Sequence, residues 1–254
     1  MKERPGIMTH IVAGYPSFDD NRKLIGAMAR AGVAYIEIQI PFSDPVADGP
    51  TILHANQSSL NNGTTVKDCL DFARDMAGQY QNVTFLFMSY YNILFNYGVE
   101  NFIGQAARCG MYGLIVPDIP LEEDGGLYYR SCLEKGIKPV YVISPTTSRE
   151  RLALIGHYAG GFIYCTSRIG ITGNAKDINK KLGAYVKTVK KITGMPVAVG
   201  FGIDSAQKAL EIGRFADIIV IGSKVLRIME QEPQAYEKAV YTFLHDISTA
   251  LSQS

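Results

Sequence analysis

The segment YIEIQIPFSDPVADGP, residues 35 to 50, gathers groups that can move protons and holds them stiffly. Its first half alternates: Ile36, Ile38 and Ile40 fall on one face of an extended chain, and Tyr35, Glu37 and Gln39 on the other. If helices cover the isoleucine face, Glu37 points to the opposite side. A carboxylate enclosed there loses solvation and, unless paired, keeps its proton more readily than in water, which suits a general acid/base. The competing reading is a structural ion pair. The second half, PFSDPVADGP, holds three prolines and two aspartates in ten residues. Such a loop fixes Asp44 and Asp48, although aspartates in loops also serve as Asx turns.

Two further segments suit an anionic ligand. Gly200-Phe201-Gly202 and Ile221-Gly222-Ser223 each follow an apolar run, and the second opens a helical pattern. Backbone N–H groups at a helix N-terminus, approached closely where glycine has no side chain, bind phosphate; a tight turn is the simpler alternative. In SRIGITG, residues 167 to 173, glycines flank Ile171-Thr172, consistent with a lid that excludes water or with a plain loop. The four cysteines, Cys69, Cys109, Cys132 and Cys165, are scattered, form no CxxC pair and read as small buried hydrophobes.

These groups need a scaffold. Apolar runs rich in β-branched residues recur at Ile7 to Ala13, Ala34 to Ile40, Val83 to Ser89, Tyr112 to Pro117, Pro139 to Ser144, Gly161 to Thr166, Pro196 to Phe201 and Asp217 to Gly222. Most are nearly continuous, as parallel strands covered by helices are. Helical patterns with their own start signals lie between them, at Ser17 with Asp20, at Thr147 with Glu150 and at Asp204-Ser205; Gly32, Gly110 and Gly213 mark ends. Eight strand-helix units predict a single (β/α)8 TIM barrel over residues 1–254, with an open doubly wound sheet as the alternative. In a barrel the ligand sits at the C-terminal ends of the strands, and a phosphate commonly lies after strands seven and eight.

Composition narrows the function. Twenty-five basic and 24 acidic residues leave a net charge of +1 with no block of like charges, so no nucleic acid is expected as partner. No run approaches the ~20 apolar residues that cross a bilayer, and the apolar stretch near the start is too short for a secretory signal. A cytoplasmic protein is expected, its cysteines reduced.

Taken together, the segments EIQIPFSDPVADGP (37–50), MSYYNILFNYG (88–98), LIVPDIPLEE (114–123), SPTTSRERL (144–152), YCTSRIGITG (164–173), GFGI (200–203) and Gly222-Ser223 resemble the tryptophan synthase alpha family, and the similarity runs through nearly the whole chain. The resemblance implies cleavage of indole-3-glycerol phosphate to indole and glyceraldehyde 3-phosphate without metal or organic cofactor. Glu37 matches the catalytic glutamate and Asp48 the aspartate that binds the indole N–H. Tyr164 matches an active-site tyrosine, Thr172 a lid threonine that interacts with Asp48, and Gly173, Gly202, Gly222 and Ser223 phosphate contacts. It further implies an α2β2 complex in which a pyridoxal-phosphate β subunit receives indole through a tunnel. Pro41, Asp44, Asn92, Phe95 and Asp118 lie in the segments matching the docking surface, with Phe95 and Tyr97 as aromatic anchors.

Two features depart from the pattern. Where the family has glycine this chain has Gln39, which is expected either to hydrogen-bond Glu37 or to narrow the indole pocket. The chain also starts without the amphipathic helix that usually caps the bottom of the barrel, so lower stability is expected. These departures leave an alternative, a weakly active subunit that mainly activates its β partner. An indole-glycerol-phosphate synthase of the same barrel group fits less well, because none of the eight runs offers an inward lysine.

Overall fold

The computed structural model describes residues 4–119, 121, 126–166, 175–200 and 202–253. In chain order the elements are β1 (Gly6–Val12), α1 (Phe18–Arg30), β2 (Tyr35–Gln39), α2 (Pro50–Asn61), α3 (Val66–Gln79), β3 (Thr84–Met88), α4 (Tyr91–Tyr97), α5 (Val99–Arg108), β4 (Gly113–Ile115), α6 (Leu127–Lys135), β5 (Lys138–Val140), β6 (Val142–Ile143), α7 (Arg149–Tyr158), β7 (Ile163–Thr166), α8 (Ala175–Thr193), β8 (Val197–Gly200), α9 (Ala206–Gly213), β9 (Ile218–Ile221), α10 (Ser223–Gln231) and α11 (Tyr236–Ser252). All eight apolar runs form strands, shorter than expected by one or two residues at most ends.

Every strand pairing is parallel, in the order β5-β4-β3-β2-β1-β9-β8-β7-β6. Only Tyr141 separates β5 from β6. Because β5 bonds to β4 and β6 bonds to β7, residues 138–143 act as one strand that joins the two ends of the order. The sheet is a closed (β/α) barrel with eight strand positions, and the open-sheet alternative is excluded.

Period-two alternation divides the core. Ile36, Ile38 and Ile40 join the layer between barrel and helices, together with Leu24, Ile25, Met28 and Val225. Inside the barrel, Met8, Leu86, Met88, Ile115, Val140, Ala198, Ile218 and Val220 form a second cluster, topped by Tyr90. The start signals mostly act as expected: Ser17 accepts from the Asp20 N–H and Ser205 from the Lys208 N–H. At α7 the cap is Ser148 instead of Thr147. Ser148 accepts from the Arg151 N–H, whereas the Thr147 hydroxyl accepts from the Ser144 N–H and closes the preceding turn. All four cysteines are buried free thiols. Among the described residues no helix is long and apolar enough to cross a membrane.

The closing seam is tight. A Cβ on Gly113 of β4 would stand 2.6 Å from the carbonyl oxygen of Lys138 on β5, and backbone cannot swing aside as a side chain can. Gly113→Ala should therefore destabilise the barrel by roughly 1–3 kcal/mol, read as a lower denaturant midpoint.

Candidate active site

The parallel register between β1 and β2 sets His10 beside Glu37. Both side chains point into the barrel, and the residues are only 4% and 3% exposed. His10 Nδ1 lies 3.4 Å from Glu37 Oε1. Burial alone would disfavour the imidazolium, but the negative charge and hydrogen bond of Glu37, the charge of Asp48 and the Gln39 amide outweigh it. The His10 pKa is raised above its usual 6.5. Glu37 is thus paired, as the competing reading required, yet it remains at the cavity. Its Oε2, with His10 Nε2 and Gln39 Oε1, is buried without a hydrogen-bond partner. Orphaned polar atoms cost roughly 1–3 kcal/mol each, and a polar ligand would satisfy them.

Asp48 closes the mouth above this pair. Gln39 donates from Nε2 to Asp48 Oδ2 at 2.7 Å and to Asn56 Oδ1 at 3.3 Å. The expected bond from Gln39 to Glu37 is not formed; the loop turns Asp48 back over β2, and the charged acceptor takes the amide. Asn56, on α2, also accepts from the Phe42 N–H at 2.9 Å, and Tyr90 Oη accepts from the Ala47 N–H at 3.0 Å. Phe42 stacks on Tyr90 with ring centroids 5.1 Å apart. Burial raises the Asp48 pKa, opposed by the Gln39 hydrogen bond and by His10.

The cavity below holds about 130 Å³ and is lined by His10, Glu37, Asp48, Tyr164 and Gly222 with apolar walls of Met88, Ile115 and Val142. Tyr164 comes from β7; burial and the two carboxylates push its hydroxyl pKa well above the usual value. A Cβ on Gly200 would stand 3.2 Å from the Tyr164 hydroxyl, so that glycine makes room for the ring. Opposite, α10 begins at Ser223 behind Gly222, and no side chain caps it. Gly202 has φ +57°, and a Cβ there would meet open space. Thr172, Gly173 and Phe201 lie outside the described residues.

A larger cavity, about 390 Å³, opens at the other end of the barrel. Its carboxylate, Asp217, is occupied by Lys190 Nζ and the Val197 N–H, both at 2.8 Å, so it offers no reactive acid. The smaller cavity is the one that holds the buried His10–Glu37 pair.

Of the residues expected at a docking surface, Asp44, Asn92, Phe95 and Asp118 are exposed at the mouth. Pro41 is buried, so it shapes the loop and presents no surface of its own. Asp118 accepts from the Tyr91 N–H at 2.9 Å, and with the Ala47–Tyr90 bond this ties three loops into one rim. Val46, 72% exposed, and Phe95, 68% exposed, stand on that rim. Glu122 and Glu123 lie outside the described residues. The sequence reading missed His10, Asn56 and Tyr90. His10 was within reach, since the alternation that turns Glu37 inward also turns Met8 and His10 inward.

A closed barrel with paired acid and base groups buried at the C-terminal mouth defines a barrel enzyme of proton-transfer chemistry. The family model of the tryptophan synthase alpha chain matches residues 1–252. The tryptophan synthase alpha chain of Desulfotalea psychrophila is 46% identical over 225 residues, covering 89% of this chain and 88% of that one. Tryptophan synthase subunit alpha from Legionella pneumophila superposes with a TM-score of 0.89 at 28% identity, covering 98% of this chain and 94% of that one. A chain of the tryptophan synthase complex from Pyrococcus furiosus gives 0.87 at 27% identity, covering 97% and 99%. The chain belongs to the tryptophan synthase alpha chain family, lyases of tryptophan biosynthesis that act on indole-3-glycerol phosphate.

Asp48 carries a stability cost with a defined sign. Its folded pKa is raised, so the protonated form favours folding and the charged form opposes it. Asp48→Asn should make the protein more stable at pH 7, with the advantage shrinking as pH falls through the folded pKa of Asp48. Thermal melts of both proteins from pH 3 to 8 check this.

Proposed function

We propose that this chain cleaves indole-3-glycerol phosphate by a retro-aldol step in which Glu37 moves the proton and Asp48 holds the indole N–H. The observation that carries the reading is a carboxylate almost wholly buried at the cavity wall with one oxygen left without a partner. Glu37 gives a proton to ring carbon C3, and Asp48 stabilises the positive charge that spreads to the ring nitrogen. The C3–C1′ bond then breaks, its electron pair returning to the ring, while the glycerol hydroxyl passes its proton to Glu37 and becomes the aldehyde. The net change moves one proton from oxygen to carbon and needs no cofactor. Tyr164 supports the ring from β7, and the apolar walls suit a flat bicycle. The uncapped start of α10 at Gly222-Ser223, with Gly202 nearby in sequence terms after β8, suits the phosphate. In this reading Gly173 completes the phosphate grip and Thr172 is the lid threonine that meets Asp48.

The exposed rim supports a β subunit as partner, in an α2β2 assembly of the cytoplasm that passes indole on to the β chain. Val46, Phe95 and Tyr97 supply apolar contact, with Asp44, Asn92 and Asp118 around them.

Three measurements test this. Glu37→Gln should lower the rate of indole release by roughly 10²–10⁴-fold while the protein still folds; release at more than a tenth of the wild-type rate removes the proton donor from the scheme. Ser223→Asp places a carboxylate where a helix start welcomes it but where a phosphate would be repelled. Its melting temperature should hold while KM rises at least about tenfold. Phe95→Ala should weaken β-subunit binding by about 1–3 kcal/mol in calorimetry and leave the rate of the isolated chain unchanged.

A further inference from the structure

The proton-moving carboxylate has a companion on the next strand. His10 and Glu37 share a register position on β1 and β2, sit 3.4 Å apart and are both nearly inaccessible. Neither is an exposed group that happens to meet another: each is enclosed by the barrel, and each keeps one polar atom, Nε2 and Oε2, without a partner. A lone ionised carboxylate in such a place is costly, and an imidazole that carries a proton offsets the charge. We propose that His10 is a positioning residue of the lyase reaction, holding at Nδ1 the proton that Glu37 delivers, so that the pair handles the proton and not the carboxylate alone.

At rest the proton sits on the imidazole and Glu37 is ionised. When the substrate fills the cavity, the Nδ1–H bond breaks and the proton passes to the Glu37 carboxyl, leaving His10 neutral. The Glu37 O–H bond then breaks as the C3–H bond forms. Cleavage of C3–C1′ releases the substrate hydroxyl proton to Glu37, and its return to Nδ1 restores the resting pair. One proton enters the cycle from the hydroxyl and one leaves on indole, so the balance is that of the lyase reaction itself.

The surroundings favour this state. Glu37 faces the imidazole from β2 and Asp48 acts from the loop after β2, both raising its proton affinity against the effect of burial, and Gln39 adds to them. Tyr164, on β7, lines the same cavity with a hydroxyl that holds its own proton tightly. Tyr90, after β3, reaches the group only through its interaction with Asp48. On the β9 side Gly222 brings backbone alone; a Cβ there would stand 3.7 Å from the His10 Cβ.

This inference rests on Glu37 as the proton carrier, and the test separates the two. The full chain, its Glu37→Gln variant and its His10→Gln variant are compared for kcat and KM of indole release between pH 6 and 9. Glutamine keeps a hydrogen bond to the carboxylate but cannot carry the charge. His10→Gln should lower kcat at least about tenfold with KM within about twofold, and the alkaline limb of the kcat profile should move, because the imidazole that stores the proton is gone. An unchanged kcat and profile, or a lower kcat with the profile unmoved, overturns the role of His10 while an inactive Glu37→Gln leaves the proposed function standing. An active Glu37→Gln overturns that function first. Should His10→Gln fail to fold, 15N-histidine NMR of the wild-type chain decides: His10 should titrate above 6.5, and in Glu37→Gln well below its wild-type midpoint. A wild-type midpoint at or below 6.5, or one unmoved in Glu37→Gln, overturns the proposal.

Discussion

The mouth of this barrel is organised by a single constraint: charge placed where water cannot reach must be met by an opposite charge or a hydrogen bond. Parallel pairing supplies the answer, because residues at matched positions on adjacent strands turn the same way. His10 on β1 and Glu37 on β2 are such a pair. A slip of one residue in either strand would send that side chain out among the isoleucines and leave its neighbour uncompensated. Register, core composition and the reactive centre are therefore the same decision.

A second tier depends on the first. Glu37 lines the cavity, and the next inward position on β2 is the fully buried Gln39, which meets Asp48. With glycine at that position the amide would be absent and Asp48 would have to find other support. In this chain the acid is braced from below by Gln39 and flanked by Tyr90, whose hydroxyl also takes the Ala47 N–H. The two ends of the barrel divide the work accordingly. At the bottom, the acid Asp217 is bound by Lys190 and a backbone amide. At the top, Glu37 keeps one oxygen without a hydrogen-bond partner.

Much of this was legible in the residues alone. Near-continuous apolar runs revealed all eight strand positions, because parallel strands buried on both faces leave no other pattern. Period two turned Glu37 inward, and the proline-rich loop announced a fixed Asp48. What escaped notice depended on partners distant in sequence. Asn56 reads as an ordinary helix residue until the loop at Phe42 folds onto it. Gln39 was expected either to bond the carboxylate two positions away on its own strand or to narrow the pocket; its amide goes instead to Asp48, a charge the loop returns from nine residues on. Ser148 outcompeted Thr147 as a cap because the threonine was already engaged in the turn before it. Pro41 looked like surface because its segment is surface; its own side chain is folded under.

The Asn56 carboxamide has a consequence for traffic at the rim. One oxygen receives both the backbone of the loop at Phe42 and the side chain that steadies Asp48, and the nitrogen of the same group is anchored to the Ile52 carbonyl within α2. The loop and the acid are thus buttoned to the same stud. A body leaning on the exposed Val46 crest cannot lift that loop without also tugging the amide that keeps Asp48 in line, so what happens outside the mouth is felt at Asp48 through three hydrogen bonds.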